Sequence, residues 1–163
     1  MNNLLHSVKR ACTLFDAGSE DHEYISIKIR PINGGCCCFH CWPKTWEVVT
    51  QSVHTKEPLE DEGDALIIDG NNEYVIECHE SGPEIVILID RIVAYSSFLV
   101  SVAGLIFTII QARQKEKPGT KLELIKRTYK KGIIKEEIVM RIDGSINNQN
   151  EIVSILTEQI DNK

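Results

Sequence analysis

The chain has 163 residues, 42% of them hydrophobic and 26% charged, enough apolar material for a folded domain and too much for a disordered chain. A net charge of −6 and only 6% aromatic residues exclude a generic nucleic-acid binder, which needs a basic footprint or stacking platforms. The charge is split: residues 1–91 carry a net −9 and residues 92–163 a net +3, which points to parts with different surroundings.

No secretory signal peptide is visible at the start. Leu4, Leu5, Val8, Cys12 and Phe15 fall on one helical face, which predicts a short docking helix. Ile25, Ile27 and Ile29 alternate with polar residues and predict a half-buried strand, ended by Pro31 and Gly34-Gly35. Trp46 to Val53 reads as a second strand. The acidic stretch Glu57 to Asp64 reads as a solvated loop. Ala65–Ile68 and Tyr74–Ile76 flank Asp69-Gly70-Asn71-Asn72, the pattern of a hairpin.

Ser81, Pro83 and Glu84 resemble a helix start, with Glu84 three residues after Ser81 as in a capping box. They predict a helix from about Gly82 to Lys115; a buried strand over Ile85–Ile89 is the alternative. After Lys117-Pro118-Gly119, Lys121–Tyr129 and Ile133–Ile142 predict a hairpin through Lys130-Lys131-Gly132. Lys126, Arg127, Lys130, Lys131 and Lys135 make it basic, suited to a solvated edge or to anionic lipid headgroups. Asn148 and Glu151 open a last helix carrying Ile152, Ile155, Leu156 and Ile160 on one face.

Ile92 to Ile110 contains no charge. Its apolar residues lie all round a helix, and its length matches the hydrocarbon thickness, so the first reading is a bilayer span. The other reading is a buried core helix, or one buried by self-association. Arg113, Lys115, Lys117, Lys121 and Lys126 follow it, so the positive-inside rule puts the C-terminal part in the cytoplasm. Ala94, Ser97, Ser101, Gly104 and Thr108 form a stripe of small residues along the helix, a face for self-association in lipid or for packing on the chain's own sheet.

Cys36, Cys37, Cys38 and Cys41 fall close together around His40. Cys38, His40, Cys41 and Cys78 are the residues able to ligate zinc, although a second well-spaced pair is missing. A disulfide framework, lipidation of the Cys36–Cys38 run, and plain packed cysteines are the other readings. Glu77-Cys78-His79-Glu80-Ser81 collects reactive groups, but strand neighbours point to opposite faces and make no catalytic array. No phosphate-binding glycine loop, H-E-x-x-H or G-x-S-x-G occurs, so the chain reads as non-enzymatic.

The stretch from Glu84 to Lys163 has an apolar helix, the exit Gln111-Ala112-Arg113-Gln114-Lys115, a hairpin over Leu122–Asp143 and a short final helix. In this order it resembles the effector-associated constant component of bacterial conflict systems. That resemblance implies a small adaptor joining variable effectors to a shared protein partner. The expected fold class is α+β: a small mainly-β unit (1–81), a long helix (82–115) and a basic hairpin plus helix (116–163). The expected function is a non-enzymatic, single-span membrane-anchored interaction and oligomerisation module. A soluble adaptor that buries the apolar helix in its core or in a homo-oligomer is the alternative, and a zinc-stabilised binding module a further one.

Overall fold

The alternation of Ile25, Ile27 and Ile29 builds a strand, β1 (Tyr24–Pro31), in the computed structural model of the chain. The structure describes residues 11–17, 22–32, 41–53, 65–77, 83–92 and 95–161. In chain order the elements are α1 (residues 11–15), β1, α2 (Pro43–Ser52), β2 (Ala65–Asp69), β3 (Asn72–Glu77) and β4 (Glu84–Leu88). A 3₁₀ turn (Ile89–Arg91), α3 (Tyr95–Glu116), β5 (Leu122–Lys130), β6 (Ile133–Ile142), α4 (Gln149–Leu156) and a π-helical turn (Thr157–Asp161) follow. The fold is α+β, as expected.

All six strands form one antiparallel sheet in the order β2-β3-β4-β1-β5-β6. Strands from all three sequence ranges, 1–81, 82–115 and 116–163, are therefore hydrogen-bonded together. β1 lies between β4 and β5, with Tyr24 opposite Leu88 on one side and Tyr129 on the other. On one sheet face Ile25, Ile27, Ile29, Ile85 and Ile87 meet Trp46 and Val49 of α2, Val102, Ile106 and Ile109 of α3, and Ile152 and Leu156 of α4. On the other face Tyr24, Val75, Val86, Leu88 and Tyr129 meet Ala11 and Phe15. That second contact is the expected docking of the N-terminal segment, for the part of it that is described.

Three local expectations are corrected. Trp46–Val53 lies not in a strand but mostly in α2, with Pro43 in its first turn and Thr45, Trp46 and Val49 buried at helical spacing. The helix expected from Gly82 begins only at Tyr95, and Glu84–Leu88 is the buried strand β4. Its run of Ile and Val packs on both sheet faces, which outweighs a capping signal that is merely local. Finally, β1 is buried on both faces: Ser26 and Lys28, expected to face water, are 1% exposed.

Both hairpins form where turn residues stand between apolar runs. In the β5–β6 loop Lys131 (φ 50°) and Gly132 (φ 79°) both take the left-handed conformation, as a tight two-residue turn requires. Asn148 caps α4: its side-chain oxygen accepts from the Asn150 N–H at 2.9 Å. The long apolar helix exists as α3. It is one helix long and apolar enough to cross a membrane, a test that the core helix of a soluble protein also passes.

Candidate interaction surface

Burial falls off steeply from the centre of the sheet to one side. β1 is buried along nearly its whole length, whereas Ile133 and the run from Lys135 to Glu137 on β6 are exposed. Among the described residues β6 is the terminal strand of the sheet, so its outer backbone groups face away from β5. Ile133 is 63% exposed and Ile138 44%. The helices that cover Ile25 and Ile27 leave the outer half of the β5–β6 hairpin open.

The basic residues of this hairpin have distinct surroundings. Lys126 donates to the Gln159 carbonyl at 2.9 Å and lies 4.0 Å from the Glu137 carboxylate. Arg127 donates through Nε to Glu136 at 2.9 Å. A 430 Å³ groove is lined by Lys126, Thr128, Lys135, Glu136 and Glu137. A neighbouring one of 320 Å³ is lined by Glu23, Thr128, Lys130, Lys131, Ile133 and Lys135. Charges of both signs lie along an exposed strand, which is chemistry for pairing with another surface.

The sheet face under α1 holds a second group that pattern reading missed. Ser26, Lys28, Glu77, Glu84, Glu123 and Arg127 are all buried. Ser26 donates to Glu84, and the other Glu84 oxygen lies 3.7 Å from Arg127 Nη1. Arg30 donates twice to Glu123, at 2.7 and 3.0 Å. Lys28 stands opposite Glu84 on β4, which stands opposite Glu77 on β3. The opposite charges of Lys28 against Glu84 and of Arg30 against Glu123 are the only signal that sequence could have offered, and it appears only once the pairing is known.

The small-residue stripe of α3 faces its own chain. Ser97 Oγ accepts from Asn72 Nδ2 at 3.1 Å, and Ser101 Oγ lies 2.9 Å from the Tyr74 hydroxyl. A Cβ at Gly104 would sit 3.4 Å from the Gln149 amide nitrogen. The Thr108 hydroxyl turns back to the Gly104 carbonyl at 2.8 Å. Ser101, Gly104 and Thr108 line a 280 Å³ cleft with Asp69, Tyr74 and Gln149. Ala94 lies outside the described residues.

At the far end of α3, Glu116 accepts hydrogen bonds from the Lys44 and Thr45 amides and from the Thr45 hydroxyl, closing the start of α2. The Arg113 guanidinium lies 4.4 Å above the Trp42 ring and 3.4 Å from Glu116. Burial works to raise the Glu116 pKa, but the hydrogen bonds from Lys44 and Thr45 and the charge of Arg113 hold it below its ordinary value.

Of the residues considered for zinc, Cys38, His40 and Cys78 lie outside the described residues. Cys41 is exposed and disulfide-bonded, so a zinc site using it would need the reduced form. Among the described residues no group of three His, Cys, Asp or Glu is placed to hold a metal. Comparison with protein-family models, with curated proteins and with solved structures finds no match.

Proposed function

We propose that the chain is a non-enzymatic interaction module that uses α3 as the core helix of its own fold and presents the β5–β6 hairpin to a protein partner. The packing of α3 carries this reading: Phe98, Val102, Ala103, Ile106, Ile109 and Ile110 are buried in the main core. Burying one such side chain is worth about 1.5–3 kcal/mol, so a helix with this many has a strong reason to stay on the sheet. The adaptor role implied by the resemblance to conflict-system components fits a module whose outer strand, among the described residues, is paired on one side only.

A single-pass membrane protein with a cytoplasmic C-terminal part is the second reading. It is favoured by the apolar content of α3 and by Val100, which is 51% exposed on its outer side. Alkaline-carbonate fractionation of the tagged protein separates the two. Recovery in the supernatant without detergent supports the core-helix module. Retention in the pellet, released only by detergent, overturns it in favour of the span. Metal analysis of protein purified without chelator under reducing conditions tests zinc on the Cys36–Cys41 segment.

A further inference from the structure

We propose that the exposed edge of β6 pairs antiparallel with β6 of a second copy, joining two six-stranded sheets into one. The proposal names the occupant of the hairpin surface and rests on the interaction-module reading. Solubility tests α3 and association state tests β6, so the two fail separately.

The first support is geometric. β6 pairs in unbroken register with β5 from the tight turn at Gly132 to Ile138. There the register shifts: Ile125 faces Ile138 and Leu124 faces Met140, which leaves Val139 as an extra residue, the pattern of a β-bulge. The regular stretch is therefore bounded at both ends. Its Lys135, Glu136, Glu137 and Ile138 are all exposed.

The second support is the order of the side chains. Two identical antiparallel neighbours are related by a two-fold axis perpendicular to the sheet, so one residue must meet its own copy and its flanking residues meet reciprocally. With Glu136 on the axis, Lys135 stands opposite the partner's Glu137 and Ile134 opposite the partner's Ile138. Each of these pairs occurs twice. The two Glu136 carboxylates meet near the axis, but each is already bound by its own Arg127 at 2.9 Å, which offsets their mutual repulsion. Shifting the axis to Glu137 sets Lys135 against Val139 and Glu136 against Ile138. Shifting it to Ile138 sets Lys135 against Arg141. The Glu136-centred register is the one of these that satisfies both charge and apolar pairing, and it covers Ile138, one of the two large apolar residues this strand exposes.

Charged residues on a terminal strand ordinarily discourage pairing. Here, within the stretch before the register shift, they disfavour the two shifted registers, so the same charges that limit aggregation favour the Glu136-centred dimer.

The test is the molar mass of the full chain by light scattering across a dilution series. The wild type is expected to be a dimer. Lys135→Glu and Glu137→Lys each place like charges opposite one another twice and should raise the dissociation constant about tenfold or more. The double variant carrying both substitutions restores the opposite charges and should restore the dimer. Both positions are exposed, and far-UV circular dichroism verifies that each variant is folded. Concentration-dependent amide exchange protection within Ile134–Ile138 gives a readout independent of the variants. A monomeric wild type, a dimer indifferent to both single substitutions, or a double variant that stays dissociated would each overturn the proposal. So would a monomer whose hairpin binds only anionic phospholipid vesicles through Lys130, Lys131 and Lys135.

Discussion

Ser26 donates its hydroxyl proton to Glu84 diagonally across the β1–β4 pair, at a place where neither side chain reaches solvent. The Glu84 carboxylate also faces Arg127, so the hydroxyl is one of several groups that offset the cost of burying its charge. Ser26→Ala leaves that charge buried with one donor fewer. It should destabilise the protein by about 1–3 kcal/mol, read from the urea midpoint. An unchanged midpoint would mean that the hydroxyl contributes nothing to holding Glu84.

Glu116 predicts an acid limb in the stability curve. Its folded pKa is depressed, against an ordinary value of 4.5. A depressed carboxylate stabilises the fold above the unfolded value and loses that contribution as pH falls through the folded one. Stability should therefore decline below about pH 4.5 as this group protonates. Glu116→Gln should be less stable at neutral pH and show a shallower decline, measured as urea midpoints at successive pH values.

Gly104 sits inside α3, where alanine is favoured over glycine by about 1 kcal/mol. A Cβ there meets the flexible end of Gln149 at 3.4 Å, a contact that the side chain can relieve by a small shift. Gly104→Ala should raise the melting temperature slightly and leave association unchanged. If instead it weakened self-association in detergent, the stripe would be acting between copies.

Phe98 is fully buried and meets the Tyr74 ring edge-on, with centroids 6.0 Å apart. Phe98→Ala should cost about 3–5 kcal/mol if α3 is part of the core. Were α3 held in a bilayer apart from the sheet, the same change would leave the unfolding of the sheet nearly untouched. Thermal unfolding followed by near-UV circular dichroism distinguishes the two.

The local elements were legible in the sequence wherever a short-range cause decides them. The Lys131-Gly132 turn, the Asn148 cap and the C-terminal end of α3 each depend on residues near in the chain. Trp46–Val53 misled because β-branched and aromatic residues suit a strand, while Pro43 and the spacing of Trp46 and Val49 suit a helix more. Ile85–Ile87 misled because a run apolar on both faces has no period to read. The buried charges were illegible for a stronger reason. Lys28 looks like the solvent side of an alternating strand until Glu84 is placed opposite it, and that pairing joins distant parts of the chain. The same holds for the β6 surface: its charges are visible in the sequence, but that this strand is the terminal one is a property of the whole sheet.

The place of β1 has a consequence for how the chain is made. Tyr24 is synthesised early, yet its neighbours Leu88 and Tyr129 follow much later, the second only after α3 has been completed. On a translating ribosome the apolar helix therefore emerges while the sheet it must cover still lacks β5 and β6. Pairings between distant segments close slowly, and apolar surface left waiting for them attracts other partners. The nascent chain thus passes through an interval in which α3 is offered to chaperones and insertion machinery, and the closing of β5 onto β1 ends it.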